Sequence, residues 1–198
     1  MLTDAGYELL RQLASPVVAI TTTCDGRTNG MIMDSAVRAS ISPAHPRLLV
    51  VIHKWHLTHE FIRRTGRFAL HLLHRGQLEL VYRLGFRSGR DCGYRKLDGI
   101  AWHPGRSGLP LLADCLAAFE CRVANAMDGG ASTIFLADVE HTMQGPGGDL
   151  LTAQYFREHM PAAWRPEWER NYREAQERIA RMAEIRTDVR WEPPAGSG

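Results

Sequence analysis

The apolar positions of this chain follow a period of two for most of its length and switch to a helical period near its end. An apolar-periodic start (Leu2, Leu9, Leu10, Leu13) leads into a β-branched run at 17–23 that meets Asp25-Gly26, which predicts a strand closed by a tight turn. The next alternating stretch is broken by Pro43 and Pro46. Beyond them RLLVVIHK, 47–54, is a continuous apolar run of strand length and predicts a central strand buried on both faces. Thr58 stands where a helix N-cap belongs, Glu60 falls in the first turn and Gly66 supplies the stop, so 59–66 predicts a short helix. A strand at 67–73 and a helix at 76–85, closed by Gly85, follow.

Residues 86–110 are rich in glycine and charge with weak periodicity, the pattern of a long surface loop, and such loops are often functional. Two strands come next, LAAFECRVANAMD and STIFLADVEHTM, joined at Gly129-Gly130. The alternation of Phe119, Cys121 and Val123, and of Ile134 and Leu136 with Val139, suits a half-exposed antiparallel hairpin. The fold class expected is therefore mainly β with short helices, its strands closed or nearly closed into a barrel, which removes exposed edges.

From Trp164 the apolar residues Trp168, Tyr172, Ala175, Ile179 and Met182 recur at spacings of three and four, with Pro166 near the start. This predicts one amphipathic helix of about five turns. The chain divides into a barrel domain at 1–153, a helical extension at 154–192 and a disordered tail at 193–198. Trp164, Trp168 and Tyr172 are expected to pack across a dimer and partly close the neighbouring pocket.

With 198 residues and 44% apolar content the chain can bury a substantial core. Its net charge of +2, from 24 basic and 22 acidic residues without a basic block, argues against nucleic acid as a partner. No apolar stretch is long enough to span a bilayer and the N-terminal residues lack the pattern of a signal peptide, so a cytoplasmic protein without membrane contact is expected. Cys24, Cys92, Cys115 and Cys121 form no CxxC pair and are read as buried or inert thiols.

The chemistry concentrates in NGMIMDSAVRASISPAHPRLLVVIHKWHLTHE, 29–60. Its order of events is an Asn-Gly turn, a loop of small and hydroxylated residues, an apolar strand, then Lys54 and Thr58-His59 opening a helix. With its flanks, 16–73, it resembles the N-terminal half of the flavin reductase-like, FMN-binding split-barrel family, and most closely the flavoredoxin-like members. The likeness continues through SGRDCGYRKLDGI, GLPLLADCLAAFECRV and STIFLADVE, to about residue 140. The resemblance implies a split β-barrel that binds FMN, with the loop at 31–36 along the flavin ring and the segment at 53–59 at its phosphate.

The residues themselves accord with that implication. Lys54 and the Thr58 hydroxyl, at the partly positive mouth of a helix, suit a dianionic phosphate, and His59 adds a donor, with His53 in the same segment. The backbone of Met33, Asp34, Ser35 and Ala36 suits the polar edge of a flavin ring. Arg90 and Lys96 in the long loop suit the phosphate of a dinucleotide. His53, His56 and His59 form an H-x2-H-x2-H series, but no matching carboxylate or cysteine pattern accompanies them, and no metal is assigned.

Two departures from the family stand out. Many NAD(P)H-using members carry Gly-Asp-His where this chain has Gly130-Ala131-Ser132, and many carry Ser where this chain has Asp34, whose charge would lower a bound flavin's potential. The leading expectation is a homodimeric flavin reductase that passes a hydride from NADH or NADPH to FMN and supplies reduced flavin to a partner monooxygenase. The alternatives are an FMN-binding electron-transfer protein without NAD(P)H turnover, and a barrel turned to another ligand such as haem.

Overall fold

The computed structural model describes residues 13 and 16–184; the amphipathic start at 2–10 and the tail at 193–198 lie outside them. β1 (Val18–Cys24) and β2 (Arg27–Met33) form a hairpin whose two turn residues, Asp25 at φ 50° and Gly26 at φ 72°, are both left-handed. That is the turn an Asp-Gly pair favours, because its twist matches that of the flanking strands. β3 (Ala36–Arg38), β4 (Arg47–His53) and helix α1 (Leu57–Thr65) follow, α1 ending at Gly66 with φ 68°. Next come β5 (Arg67–Leu72), α2 (Leu78–Gly85), a small hairpin of β6 (Trp102–Pro104) and β7 (Pro110–Leu112), and the long hairpin of β8 (Ala117–Asp128) and β9 (Ser132–Gln144). The last elements among the described residues are α3 (Ala153–His159), a 3-10 turn (Ala162–Trp164) and α4 (Arg165–Arg181).

Seven strands form one antiparallel sheet in the order β2-β1-β5-β8-β9-β4-β3. The sheet curls so far that residues from near its two ends share one core: Met31 and Met33 of β2 meet the cluster of Leu48, Val50 and Ile52 of β4, around Phe68 and Phe135. Two register irregularities in β8, between Glu120 and Cys121 and between Val123 and Asn125, add local twist where the sheet bends most. The result is the mainly β split barrel that the sequence predicts.

A second apolar layer packs on the outer face of β1, where Val17 and Ala19 meet Val81 and Leu84 of α2 and Leu151, Phe156 and Met160 near α3. β1 is thus the strand buried on both faces. β4 differs from its expectation: it lies next to edge strand β3 and alternates, with Leu48, Val50 and Ile52 inward and Leu49 and Val51 only partly covered. Its apolar run is continuous, yet among the described residues no helix covers its outer face. In β9, Phe135 and Ala137 face the core, and Ile134 and Leu136 take the partly exposed side. The long loop is likewise more ordered than its composition suggests. It contains the β6–β7 hairpin, and the Glu120 carboxylate accepts the amides of Arg106 at 2.9 Å and Ser107 at 2.6 Å.

The C-terminal region packs on its own chain. Thr152 Oγ1 accepts the Tyr155 amide at the start of α3, whose Phe156 is buried in the second core. α4 then runs across its own chain, Trp164 stacking on Tyr82 at 4.6 Å. No helix of the described residues is long and apolar enough to cross a membrane.

His71 is fully buried on β5. Its Nε2 accepts the Leu112 amide at 3.2 Å, which leaves Nδ1–H to donate to Ala19 O at 3.3 Å, so the neutral ring is fully satisfied. A second proton would set two donors face to face in a site without water. Burial, partly offset by the Ala19 bond, lowers its pKa to about 4. The unfolded chain therefore binds the proton first, and stability present above pH 6.5 is lost as pH falls toward 4. Urea titrations should show the unfolding free energy dropping across that window; a flat profile would contradict the neutral assignment. Phe135→Ala, which empties the middle of the closed core, should cost about 3–5 kcal/mol in the same titration. A loss under about 1 kcal/mol would mean the barrel is not closed around it.

Candidate functional site

A groove of about 630 Å³ runs along β2, between that strand, the turn into α1, the loop at 86–91 and α4. From Asn29 to Met33 the wall spans four residues of strand, roughly 13 Å at about 3.3 Å per residue. The two ends differ in chemistry. Near Met33 the lining is apolar, with Val17, Met31, Ile32 and Phe156, and Asp34 sits at its edge between β2 and β3. Near Asn29 it is polar, with Thr58, Ser88, Arg90 and Lys96.

Helix α1 begins at the polar end. Its N-cap is His56, not Thr58, and no side chain caps it. Thr58 lies inside the first turn, where its Oγ1 accepts a 2.7 Å bond from Asn29 Nδ2. The expectation of a Thr58 cap fails because this cross-strand amide competes for the hydroxyl. The first-turn amides at 57–59 have no intrahelical acceptor and add partial positive charge to the groove.

Lys96 is the most unusual group here. It is 8% exposed, and among the described residues it makes no ion pair or hydrogen bond. Burial lowers its pKa to about 8, opposed by Cys92 and Asp91, so it is still largely cationic at neutral pH. An unpaired buried cation is costly and calls for an anion. Opposite it, Asn29 Oδ1 is a buried acceptor without a donor. Gly89 closes this end, since a Cβ there would collide with Asn29 Oδ1 and come within 2.9 Å of Leu57.

Arg90 is committed to structure as well as lining: it donates to Trp55 O at 3.1 Å and pairs with Glu60 at 2.7 Å, pinning the loop to α1. His53 stacks on Trp55 with ring centroids 4.3 Å apart and has Nδ1 2.8 Å from Ser132 Oγ, its cross-strand partner. Burial lowers the pKa of His53, opposed by the charge of Asp34, and lowers that of His56 to about 3, with help from the nearby cations Lys96 and Arg178.

The groove thus brings together Met33, Asp34, His53, Thr58 and Arg90 of the residues expected from sequence. It does not bring in the other four. Ser35 is exposed and its carbonyl accepts the Val51 amide, while Ala36 opens β3 with its side chain in the core. Lys54 and His59 line a separate cavity of about 220 Å³, where Lys54 Nζ meets Asp128 Oδ1 at 2.5 Å and His59 Nε2 lies 2.8 Å from Thr133 Oγ1. The reason is alternation: His53 ends β4 facing the groove, so Lys54 faces away. Asn29 and Ser88 are groups that site reasoning from sequence leaves aside, and Lys96 is expected from sequence, with Arg90, at the phosphate of a dinucleotide rather than at this end of the groove. Lys96 carried a signal only as a charge in a glycine-rich loop. Among the described residues no cluster of three His, Cys, Asp or Glu side chains is placed to hold a metal.

Comparison with known proteins identifies the family of this fold. A high molecular weight rubredoxin from Moorella thermoacetica is 32% identical over 75% of this chain, which spans 64% of that relative's length. The reductase component of a 4-nitrophenol 4-monooxygenase/4-nitrocatechol 2-monooxygenase from Rhodococcus opacus is 30% identical, over 73% of this chain and 72% of the relative. The solved structure of an NADH:FAD oxidoreductase from Streptomyces globisporus C-1027 superposes with a TM-score of 0.66 at 25% identity, covering 77% of this chain and 91% of that one. The model of the flavin reductase like domain matches residues 10–163, and the chain belongs to that family.

Proposed function

We propose that the protein is an NAD(P)H-dependent flavin reductase that binds FMN in the groove along β2. The observation that carries this reading is the buried, unpaired Lys96 beside the uncapped start of α1, at one end of a groove whose other end is apolar. A flavin mononucleotide has the same polarity, a dianionic phosphate joined by a hydroxylated chain to a flat ring. Lys96, the Ser88 hydroxyl and the first-turn amides of α1 hold the phosphate. Asn29 Oδ1 takes a donor from the hydroxylated chain, and Met31 and Met33 supply the wall for the ring beside Asp34. Bound flavin supplies the redox chemistry, accepting a hydride from NADH or NADPH. The protein contributes position and electrostatics, since hydride transfer chiefly needs two rings held in close register.

Ser132 stands where many family members carry His, yet an imidazole is still present on this wall, because its cross-strand partner His53 turns into the groove. That favours reductase turnover over electron transfer alone. The reduced flavin would serve a partner monooxygenase, as the Rhodococcus relative, a monooxygenase reductase component, suggests. A homodimer is supported by exposed apolar residues on one side of the barrel, Val37 and Met127 beside the half-covered Leu49, Val51 and Ile134.

Flavin fluorescence titration should show FMN binding that Lys96→Ala weakens roughly tenfold or more, the loss of one charge-assisted contact. Lys54→Ala should leave it nearly unchanged. Loss of binding with Lys54→Ala and retention with Lys96→Ala would reverse the assignment. NADH consumption should require added FMN and should fall with Lys96→Ala chiefly through a higher KM for flavin. An FMN-loaded protein that consumes neither NADH nor NADPH would leave the electron-transfer reading in its place.

A further inference from the structure

Helix α4 lies beyond the part of the chain that the family accounts for. The family match ends at residue 163 and α4 begins at Arg165. None of its residues is fully buried, and only the half-buried Trp168 packs on the second core, so burial of an apolar face explains little of its position. It is fixed at its two ends instead. At the start, Glu167 accepts from Tyr82 OH at 3.0 Å and Asn171 Nδ2 donates to Phe86 O at 3.0 Å. Just past its end the chain passes so close to the β8–β9 turn that a Cβ on Gly130 would lie 2.6 Å from Ala183 O. Between these anchors α4 forms one wall of the groove through Trp168, Tyr172, Ala175 and Arg178.

Arg178 is the group on that wall without a match. Among the described residues it makes no ion pair or hydrogen bond, and its guanidinium lies 5.9 Å from the centre of the Trp55 ring. Lys96, equally unmatched, lines the same groove from the loop at 86–96. Both face the same groove as Trp55 and His56, at the start of α1. Glu174 and Asp91 also line the groove, but neither lies within ion-pairing distance of either cation. A helix that carries an exposed cation to a groove already holding a buried, unpaired one gains from that charge only when an anion comes between them.

We propose that Arg178 is a phosphate-binding residue supplied by α4, which together with Lys96 clamps the flavin's terminal phosphate from two sides of the groove. Lys96 provides a point charge from the loop, and Arg178 provides a planar fork suited to two phosphate oxygens. Phosphate binding and docking of α4 are then one event: the ligand neutralises the pair, and the docked helix covers the ligand. The inference rests on the reading of the groove as a flavin site. It adds a ligand that the family domain, ending at residue 163, does not contain.

The test compares FMN with riboflavin, which has the ring but no phosphate, by fluorescence titration of the full chain. Arg178→Ala should weaken FMN roughly tenfold while changing riboflavin by less than about twofold. Arg178→Lys should restore part of the loss. Arg181→Ala, which removes an exposed arginine one turn along that pairs with Glu177 at 3.6 Å, should change neither ligand. Equal weakening of FMN and riboflavin by Arg178→Ala, or none of either, would overturn the clamp and leave the flavin site standing. A loss seen only in the KM for NADH or NADPH would also overturn it, assigning Arg178 to the nicotinamide nucleotide. If the unaltered protein binds neither flavin, the flavin reading fails and the clamp with it.

Discussion

Closure of one antiparallel sheet on itself is the constraint from which the remaining features follow. β8 and β9 are long enough to pass through the bend, and the irregularities at Glu120/Cys121 and Val123/Asn125 supply the extra twist there. Because the sheet closes, β2 and β4 share a core even though four strands separate them in the sheet order. β1 is then enclosed on both faces, since α2 and the segment around α3 cover the outside of the curl. α2 reaches β2 as well, Leu84 and Gly85 lying against Gly30 and Ile32, and the groove opens beside that contact, toward the turn from β4 into α1.

The polarity of the groove follows from the same arrangement. Strand alternation at the end of β4 sends His53 to one side and Lys54 to the other, so the charge expected at the phosphate is spent on Asp128 in a different cavity. The positive charge that does reach the groove comes from the loop at 86–96, held against α1 by Arg90. Lys96 therefore stays unpaired while lying almost fully inside the protein. The family relationship and the physical chemistry of the groove point the same way: a site with one anion-seeking end and one apolar end suits a flavin nucleotide.

Much of the barrel was legible in the sequence because it is written in short-range signals. Asp25-Gly26 marks a hairpin turn, Gly66 ends a helix and Gly129-Gly130 joins two strands, each through local backbone preference. What failed depended on contacts distant in sequence. Thr58 looks like a cap until Asn29, 29 residues earlier, takes its hydroxyl. The run at 47–53 looks doubly buried, although the layer that covers β1 does not reach it. Lys96 looks like a surface charge, because nothing in a glycine-rich stretch reveals that the loop folds back into the groove. The helix after Trp164 was legible as a helix, but its apolar stripe could not say whether it covers its own chain or a partner.

The most direct test of the account is a crystal structure of the protein with FMN bound. The account predicts the ring against Met31 and Met33 and the phosphate beside Lys96 at the start of α1, with the hydroxylated chain passing Asn29. A flavin whose phosphate sits against Lys54 and His59 in the smaller cavity, or one that leaves Lys96 without an anion, would contradict it.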